Sequence, residues 1–432
     1  MSEVLWGLMG RDFSQRMRRV RTLGMGTCAR SYNNKAVPGL GGVWFAKQLF
    51  LAALGVGLAE ASGKGRHNNI RVTNAVEALA CWLAYDSSNW KPDARLRGVS
   101  KMKGQKDLSF KTVAKSLFYV TQPMRMATVQ PLPALGLVQA AGSRFNSFST
   151  SPEGREFVRA VCEGVGNVFY NHNAYDYLLG WIAGSDGRLN YTNLIRTLSP
   201  LEPMPEQGRD LLRNRLVLKG PNETLEDVER RRNVLQWVES LRIDGAGHGS
   251  WDRPEVLTEV HWRDLQAGAA FFEANDAANA VLNKAEATMG TREKQELSLD
   301  GDLKFLDETM EELRRCAQTY LDCDQDDEMA DAFCQECLAG NALVLEKLVA
   351  RDRRVLRLSG RSVLPGPAYD GHAGRASDAE DGDFSEDAEV VSRFPDWISY
   401  RINNLFLLNA DLKADLDQWI LGTTEQGEAG DA

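Results

Sequence analysis

Apolar positions along most of this chain recur at three- and four-residue intervals, the spacing that gathers them on one face of an α-helix. Residues 43–58 are almost continuously apolar and predict a buried helix. In residues 71–85, Val72, Ala75, Val76, Leu79, Trp82 and Leu83 share the inner face of the next one. Ahead of both, Phe13, Met17 and Val20 alternate with Arg11, Arg16, Arg18, Arg19 and Arg21, the pattern of a basic amphipathic helix. Leu108, Val113, Leu117 and Val120 keep helical spacing, Pro123 forces a turn, and a second short helix runs to about Leu135. Around Gly142 the pattern changes to strand, turn and strand, with Phe145 and Phe148 in the returning half. Ser151, Pro152 and Glu153 then supply a cap, a proline and an acid for the first turn of another helix. The order over residues 108–162 is helix, helix, hairpin, helix.

Helical spacing continues over residues 175–241, broken by a loop at 200–205, and residues 225–241 carry Arg230, Arg231 and Arg232 on the outer side. Such a run can touch phosphate, but here Glu226, Asp227 and Glu229 stand at pairing distance on the same helix. Long helices are predicted within 255–358, including 303–321 and 342–358. Residues 370–389 hold eight acidic residues against Arg375 alone, the composition of a linker. Beyond it, Phe394, Trp397, Ile398, Ile402, Leu405, Phe406, Leu408, Leu412, Leu416, Trp419 and Ile420 form an apolar face that needs a cover, from its own chain or from a partner groove.

Composition sharpens this picture. With 432 residues and 43% apolar content the chain can fill about two to three domains. Its most apolar stretch is interrupted by Lys47 and is too short to cross a bilayer, so no membrane partner is expected. Met1 to Gly10 is interrupted by Glu3 and lacks the apolar core of a signal peptide. Seven cysteines in no framework spacing suggest free thiols and a cytoplasmic protein. The net charge of −9 is unevenly spread: residues 1–125 hold 20 Lys and Arg against 7 Asp and Glu, leaving 31 against 53 for the remainder. Between Lys91 and Arg125 nine basic residues face only Asp93 and Asp107. A basic end of this kind suits a polyanion, because each neutralised phosphate releases condensed counterions.

Residues 108–162, and within them Leu135-Gly136-Leu137-Val138 and the run from Thr150 to Glu156, resemble the winged-helix domains of bacterial regulators. The resemblance implies a recognition helix at 124–134 and a wing tip at 142–146, with Arg144 as the wing's contact to phosphate or groove. Pro131 and Pro133 inside that helix depart from the pattern, and Arg125 is its only basic residue. In overall plan the chain resembles the large helical proteins with an embedded winged helix that bacterial defence and mobile-element operons encode beside ATPases or nucleases. The kleisin-like linker of a condensin-type ATPase complex is a related likeness. The implied fold class is mainly α, a multidomain helical protein with an embedded winged helix-turn-helix and a short β-hairpin wing. Its segments would be a basic helical domain (1–105), a winged-helix-like domain (106–165), a helical domain (166–360), an acidic linker (361–392), a docking helix (393–422) and a tail (423–432).

Catalytic motifs are incomplete. The tract ending in Ser62, Gly63, Lys64 and Gly65 has Leu58 where a phosphate loop needs glycine and Gly65 where it needs a hydroxyl. Asp322, Asp324 and Asp326 open like a calcium loop, which Asp327 and Phe333 then fail to complete. Cys316, Cys323, Cys334 and Cys337 are the possible zinc ligands, although the first pair is spaced too widely and Cys316 sits on an apolar helix face. His67, His172, His248, His261 and His372 are scattered, and the spacing of Arg242 and His248 falls in a glycine-rich loop. Asp302-Leu303-Lys304 and Asp411-Leu412-Lys413 imitate a nuclease strand in helical surroundings. The expected function is a non-catalytic, cofactor-free DNA-binding and scaffold subunit of a multi-component prokaryotic complex, with anti-phage defence as one setting. It would bind duplex DNA through Lys101, Lys103, Lys106, Lys111, Arg125 and Arg144, and partner subunits such as an ATPase or nuclease. The alternative is a nuclease or other hydrolase with a dispersed site.

Overall fold

A computed structural model describes residues 21, 23–63, 65–185, 191–244, 252–323, 325–369, 371, 394–395 and 398–420. The basic helix expected over 11–20, residues 370 and 372–392 of the expected acidic linker, the tail, Lys64, Asp324, His248, His372 and Trp397 lie outside them, whereas residues 361–369 of that linker are described and include a strand. The described residues are mainly helical, with two small antiparallel sheets. In chain order the helices are α1 (Gly26–Ala36), α2 (Ala46–Ala61), α3 (Asn69–Ser87), α4 (Val99–Met102), α5 (Phe110–Val113), α6 (Pro131–Ala134), α7 (Pro152–Val165), α8 (Ala174–Ala183) and α9 (Tyr191–Leu198). They continue with α10 (Glu206–Val217), α11 (Leu225–Asp244), α12 (Glu259–Gly290), α13 (Asp307–Leu321), α14 (Glu328–Cys337), α15 (Asn341–Asp352), α16 (Tyr400–Leu412) and α17 (Asp417–Ile420). The strands are β1 (Val138–Ala140), β2 (Phe148–Thr150), β3 (Leu297–Ser298), β4 (Leu356–Ser359) and β5 (Ser362–Pro365). They form two compact units, each discontinuous in sequence. The smaller takes its described residues from Met1–Arg30 and Ala269–Glu380, and the larger takes its own from Ser31–Gly268 and Asp381–Ala432.

In the larger unit one hydrophobic core runs from Ala36 to Leu416, and it draws residues from each of the segments expected as separate, 1–105, 106–165, 166–360 and 393–422. At its centre α2 is buried on all sides, as its unbroken apolar run predicts, and packs along α3. Gly55 sets that crossing: a Cβ there would fall 2.7 Å from Thr73 Cα, so only the bare backbone lets the two helices approach this closely. The terminal helix α16 fills the space against α11, α10 and α2, burying Ile402, Leu405, Phe406, Leu408 and Leu412. Polar bonds fix it there. Asp411 accepts the Ala46 N–H at the start of α2 (2.7 Å), and Arg401 donates to Val37 O (3.0 Å) and Gln130 Oε1 (2.8 Å).

The segment 108–162 departs from the two full helices that its spacing predicts. Residues 108–120 yield only the single turn α5, and Leu117, placed by periodicity on an inner face, is 87% exposed. Residues 124–134 form a 3-10 turn, Met124–Thr128, followed by the one turn of α6, where Pro131 and Pro133 lack the N–H groups that a longer ladder needs. The hairpin and the following helix match their signals. β1 and β2 pair antiparallel with Val138 opposite Thr150, and the Ser151 hydroxyl accepts the Gly154 N–H (2.8 Å) to cap α7.

In the smaller unit, Phe271, Ala274, Ala278, Leu282, Ala285 and Met289 of α12 are buried at helical spacing, together with inward residues of α13, α14 and α15. Arg21 is bound there to Glu286 (2.8 Å), Asp352 (3.1 Å) and Asn283. The helix expected over 342–358 stops at Asp352. Arg353 turns left-handed (φ 54°), and the chain continues as the hairpin β4–β5, whose outer neighbour is β3 in the order β3-β5-β4.

Candidate nucleic-acid interface

Three separate segments of the larger unit meet at the N-terminus of α3. Asn68 caps the helix by accepting the Arg71 N–H (2.8 Å), and Asn146 of the hairpin loop accepts the Ile70 N–H (3.0 Å). Asn69 donates in return to Phe145 O (3.0 Å) and Phe148 O (2.8 Å), which holds the hairpin on the helix end. On another side the Phe110 ring of α5 lies against His67 (5.0 Å between centroids) and beneath the Arg71 guanidinium (5.8 Å). Phe110 also meets Trp181 of α8 edge-on, and the Trp181 indole donates to Leu108 O (2.8 Å), so the short helix α5 that carries Lys111 is anchored.

This packing brings Lys111 and Arg144 to the same helix end as Arg66 and Arg71. All four are exposed, and none forms an ion pair among the described residues. The field is positive enough to reach His67. Burial lowers its pKa from the ordinary 6.5, and the charges of Arg71 and Arg66 lower it further. The helix N-terminus adds its own partial positive charge.

The other expected contacts sit differently. Lys101 is half-buried in α4, and Lys103 and Lys106 are exposed in the loop between α4 and α5. Arg125 points inward: its backbone N–H donates to Glu77 Oε1 (2.7 Å), its Nε donates to Asn74 (2.5 Å), and its guanidinium covers the Phe145 ring (5.5 Å). Glu77 is fully buried with Oε2 unpartnered, and burial pushes its carboxyl up to about 8 against the pull of Arg125 and Arg97. Arg66 and Arg71 escaped the sequence reading. Their signal was available in Arg66-His67-Asn68-Asn69, a capping residue flanked by cations where a helix begins.

Elsewhere the chemistry-bearing residues are structural. Arg231 is fully buried, paired with Glu223 and donating to Leu216 O (2.8 Å) and Pro38 O (3.1 Å), while Arg230 binds Asp264 (2.6 Å) and Glu226 (2.7 Å). The nuclease-like Asp411 caps α2. Cys316, Cys334 and Cys337 are buried in the smaller unit with Cys28, whose thiol donates to Asp327 (3.5 Å), whereas the Cys323 thiol donates to Thr319 O (3.3 Å). Burial raises all five of these thiols, Cys28 to about 11 and Cys337 to about 12. Among the described residues no three metal-ligating side chains converge in a way that could hold an ion, and no helix is long and apolar enough to cross a membrane. No protein-family model, curated protein or solved structure matches the chain.

Proposed function

We propose that this chain is a non-catalytic DNA-binding and scaffold subunit that grips the phosphate backbone of duplex DNA at the N-terminal end of α3. The observation that carries the reading is the gathering of Arg66, Arg71, Lys111 and Arg144, exposed and without acid partners among the described residues, around one capped helix end. Phosphate contacts supply most non-specific affinity and need no base-reading helix. The residues expected to read bases argue for this mode: Met124 and Thr128 are buried, and Arg125 is spent on Glu77 and Asn74. Leu117, Tyr170, Leu225 and Ile243 are exposed large apolar side chains available to partner subunits, such as an ATPase or nuclease acting on the bound DNA.

Fluorescence anisotropy of a labelled 20-base-pair duplex tests the reading. Four phosphate contacts give a slope of about −3.6 in log K against log salt, roughly a hundredfold loss of affinity between 50 and 200 mM. Replacing the four cations with alanine is expected to bring the slope near zero with an unchanged circular dichroism spectrum. A flat wild-type slope, or a quadruple variant that binds as wild type does, overturns the proposal.

A further inference from the structure

A pocket of about 450 Å³ opens in the larger unit between α2, α7 and the start of α8, within the size range of small-molecule sites. Small apolar residues make its floor, Ala53, Gly57, Val158 and Cys162, with Ala61 exposed at the mouth. At Gly57 a Cβ would meet Thr150 Cγ2 and the Tyr175 ring at ordinary contact, 3.5 and 3.6 Å, so a missing side chain and not tight packing leaves the space open. Cys162 closes the bottom as a neutral thiol, its pKa pushed up to about 12 by burial.

The polar groups at the rim are committed, with one exception. Glu60 accepts from Thr150 N (3.1 Å) and Oγ1 (2.5 Å), and Arg155 donates to Thr150 O (3.3 Å) and Oγ1 (2.9 Å). Asn173 caps α8 by accepting from Tyr175 N (2.9 Å) and Asp176 N (3.1 Å), and the Tyr175 hydroxyl donates to Gly57 O (3.2 Å). Arg159 lines the same rim and has no acceptor or acid among the described residues. The lining therefore carries two guanidiniums against one carboxylate, with a single uncommitted cation above an aliphatic floor.

We infer that this pocket binds a free, monoanionic aliphatic amphiphile in the manner of a medium-chain carboxylate, with its chain on the floor and its head group on Arg159. A heterocycle would need uncommitted acceptors as well as donors for its edge, and the acceptors of Glu60 and Asn173 and the Tyr175 hydroxyl donor are already taken. The inference uses none of the four cations at α3 and stands or falls separately from DNA binding.

Isothermal titration of the full chain with decanoate, octanoate and decanol tests it. Decanoate is expected to bind one to one below its micellar concentration. Octanoate, two methylenes shorter, should bind about tenfold more weakly. Arg159→Gln should weaken decanoate about tenfold and leave decanol unchanged. Gly57→Leu should abolish binding of both, and Ala61→Trp, which fills the mouth from an exposed position, repeats that test if the leucine variant misfolds. The inference is wrong if decanoate does not saturate, if folded pocket-filling variants still bind it, or if inorganic phosphate displaces it with equal affinity. It is equally wrong if Arg159 governs binding to anionic vesicles while free decanoate does not bind.

Discussion

Lys47 and Glu77, both fully buried in the larger unit, titrate in opposite senses. Lys47 donates to Thr197 O (2.6 Å) and Arg196 O (3.0 Å) at the end of α9, and burial lowers its pKa from 10.5 to about 7 although Asp411 and Glu202 pull it up. From pH 7 to 10.5 the unfolded chain holds a proton that the folded one lacks, so this lysine makes stability rise with pH. Glu77 runs the other way: between its ordinary 4.5 and about 8 the folded state holds the extra proton, and stability falls as pH rises through that window. One proton sets a slope of at most about 1.4 kcal/mol per pH unit. The Glu77→Gln variant is accordingly expected to gain urea midpoint over wild type between pH 5 and pH 7. A constant difference across those pH values would falsify the assignment. Arg125→Ala should cost about 1–2 kcal/mol through the lost Asn74 bond and Phe145 cover, with no change in the salt slope of DNA binding. The basic run 91–125 was plain in the sequence, but charge counts do not say which cation faces inward. Arg231 became interior because it found Glu223 and backbone carbonyls there, and Arg125 turned inward onto Asn74 and the Phe145 ring.

At the level of elements, strong periodicity was legible and weak periodicity was not. α2 and α3 were readable from their apolar runs, and α7 from its Ser-Pro-Glu start, because burial and capping act within the segment itself. The paired helices expected over 108–134 shrank to single turns: spacing allowed a helix, but two prolines and the fixed seat of Phe110 on α3 decided otherwise. The small sheet β3-β5-β4 went unread because β3 is two residues long and pairs across the α13–α15 segment. The close helix crossing of Gly55 on Thr73 also left no trace in spacing. Gly55→Ala should cost about 1–3 kcal/mol by overpacking, read as a lower urea midpoint. Thr73→Ala should not rescue it, since Thr73 Cα alone lies 2.7 Å from the added methyl. Full rescue would show that the crossing is set by the side chain.

For the whole molecule, the terminal apolar face announced that it had to be covered, but such a face states how much area needs burying and not where. The structure places α16 in the core of the larger unit. A protease site engineered within residues 381–386 should therefore release a piece that still co-elutes with the remainder, held by side chains worth about 1.5–3 kcal/mol each. Dissociation on size-exclusion chromatography without loss of solubility would contradict that placement. The candidate interface was half legible: Lys111 and Arg144 stood in the sequence, but their meeting with Arg66 and Arg71 depends on the packing of Phe110 and Asn146. The discontinuity of the two units also has a consequence for a nascent chain. Everything the smaller unit needs has been translated before α16, whereas α2, α10 and α11 must wait for it. At about 5–20 residues per second the stretch from Ala269 to Leu412 takes on the order of ten seconds to make. During that interval the surface destined for α16 stays uncovered, and the larger unit, although most of it is made before the smaller one is complete, is the last to close.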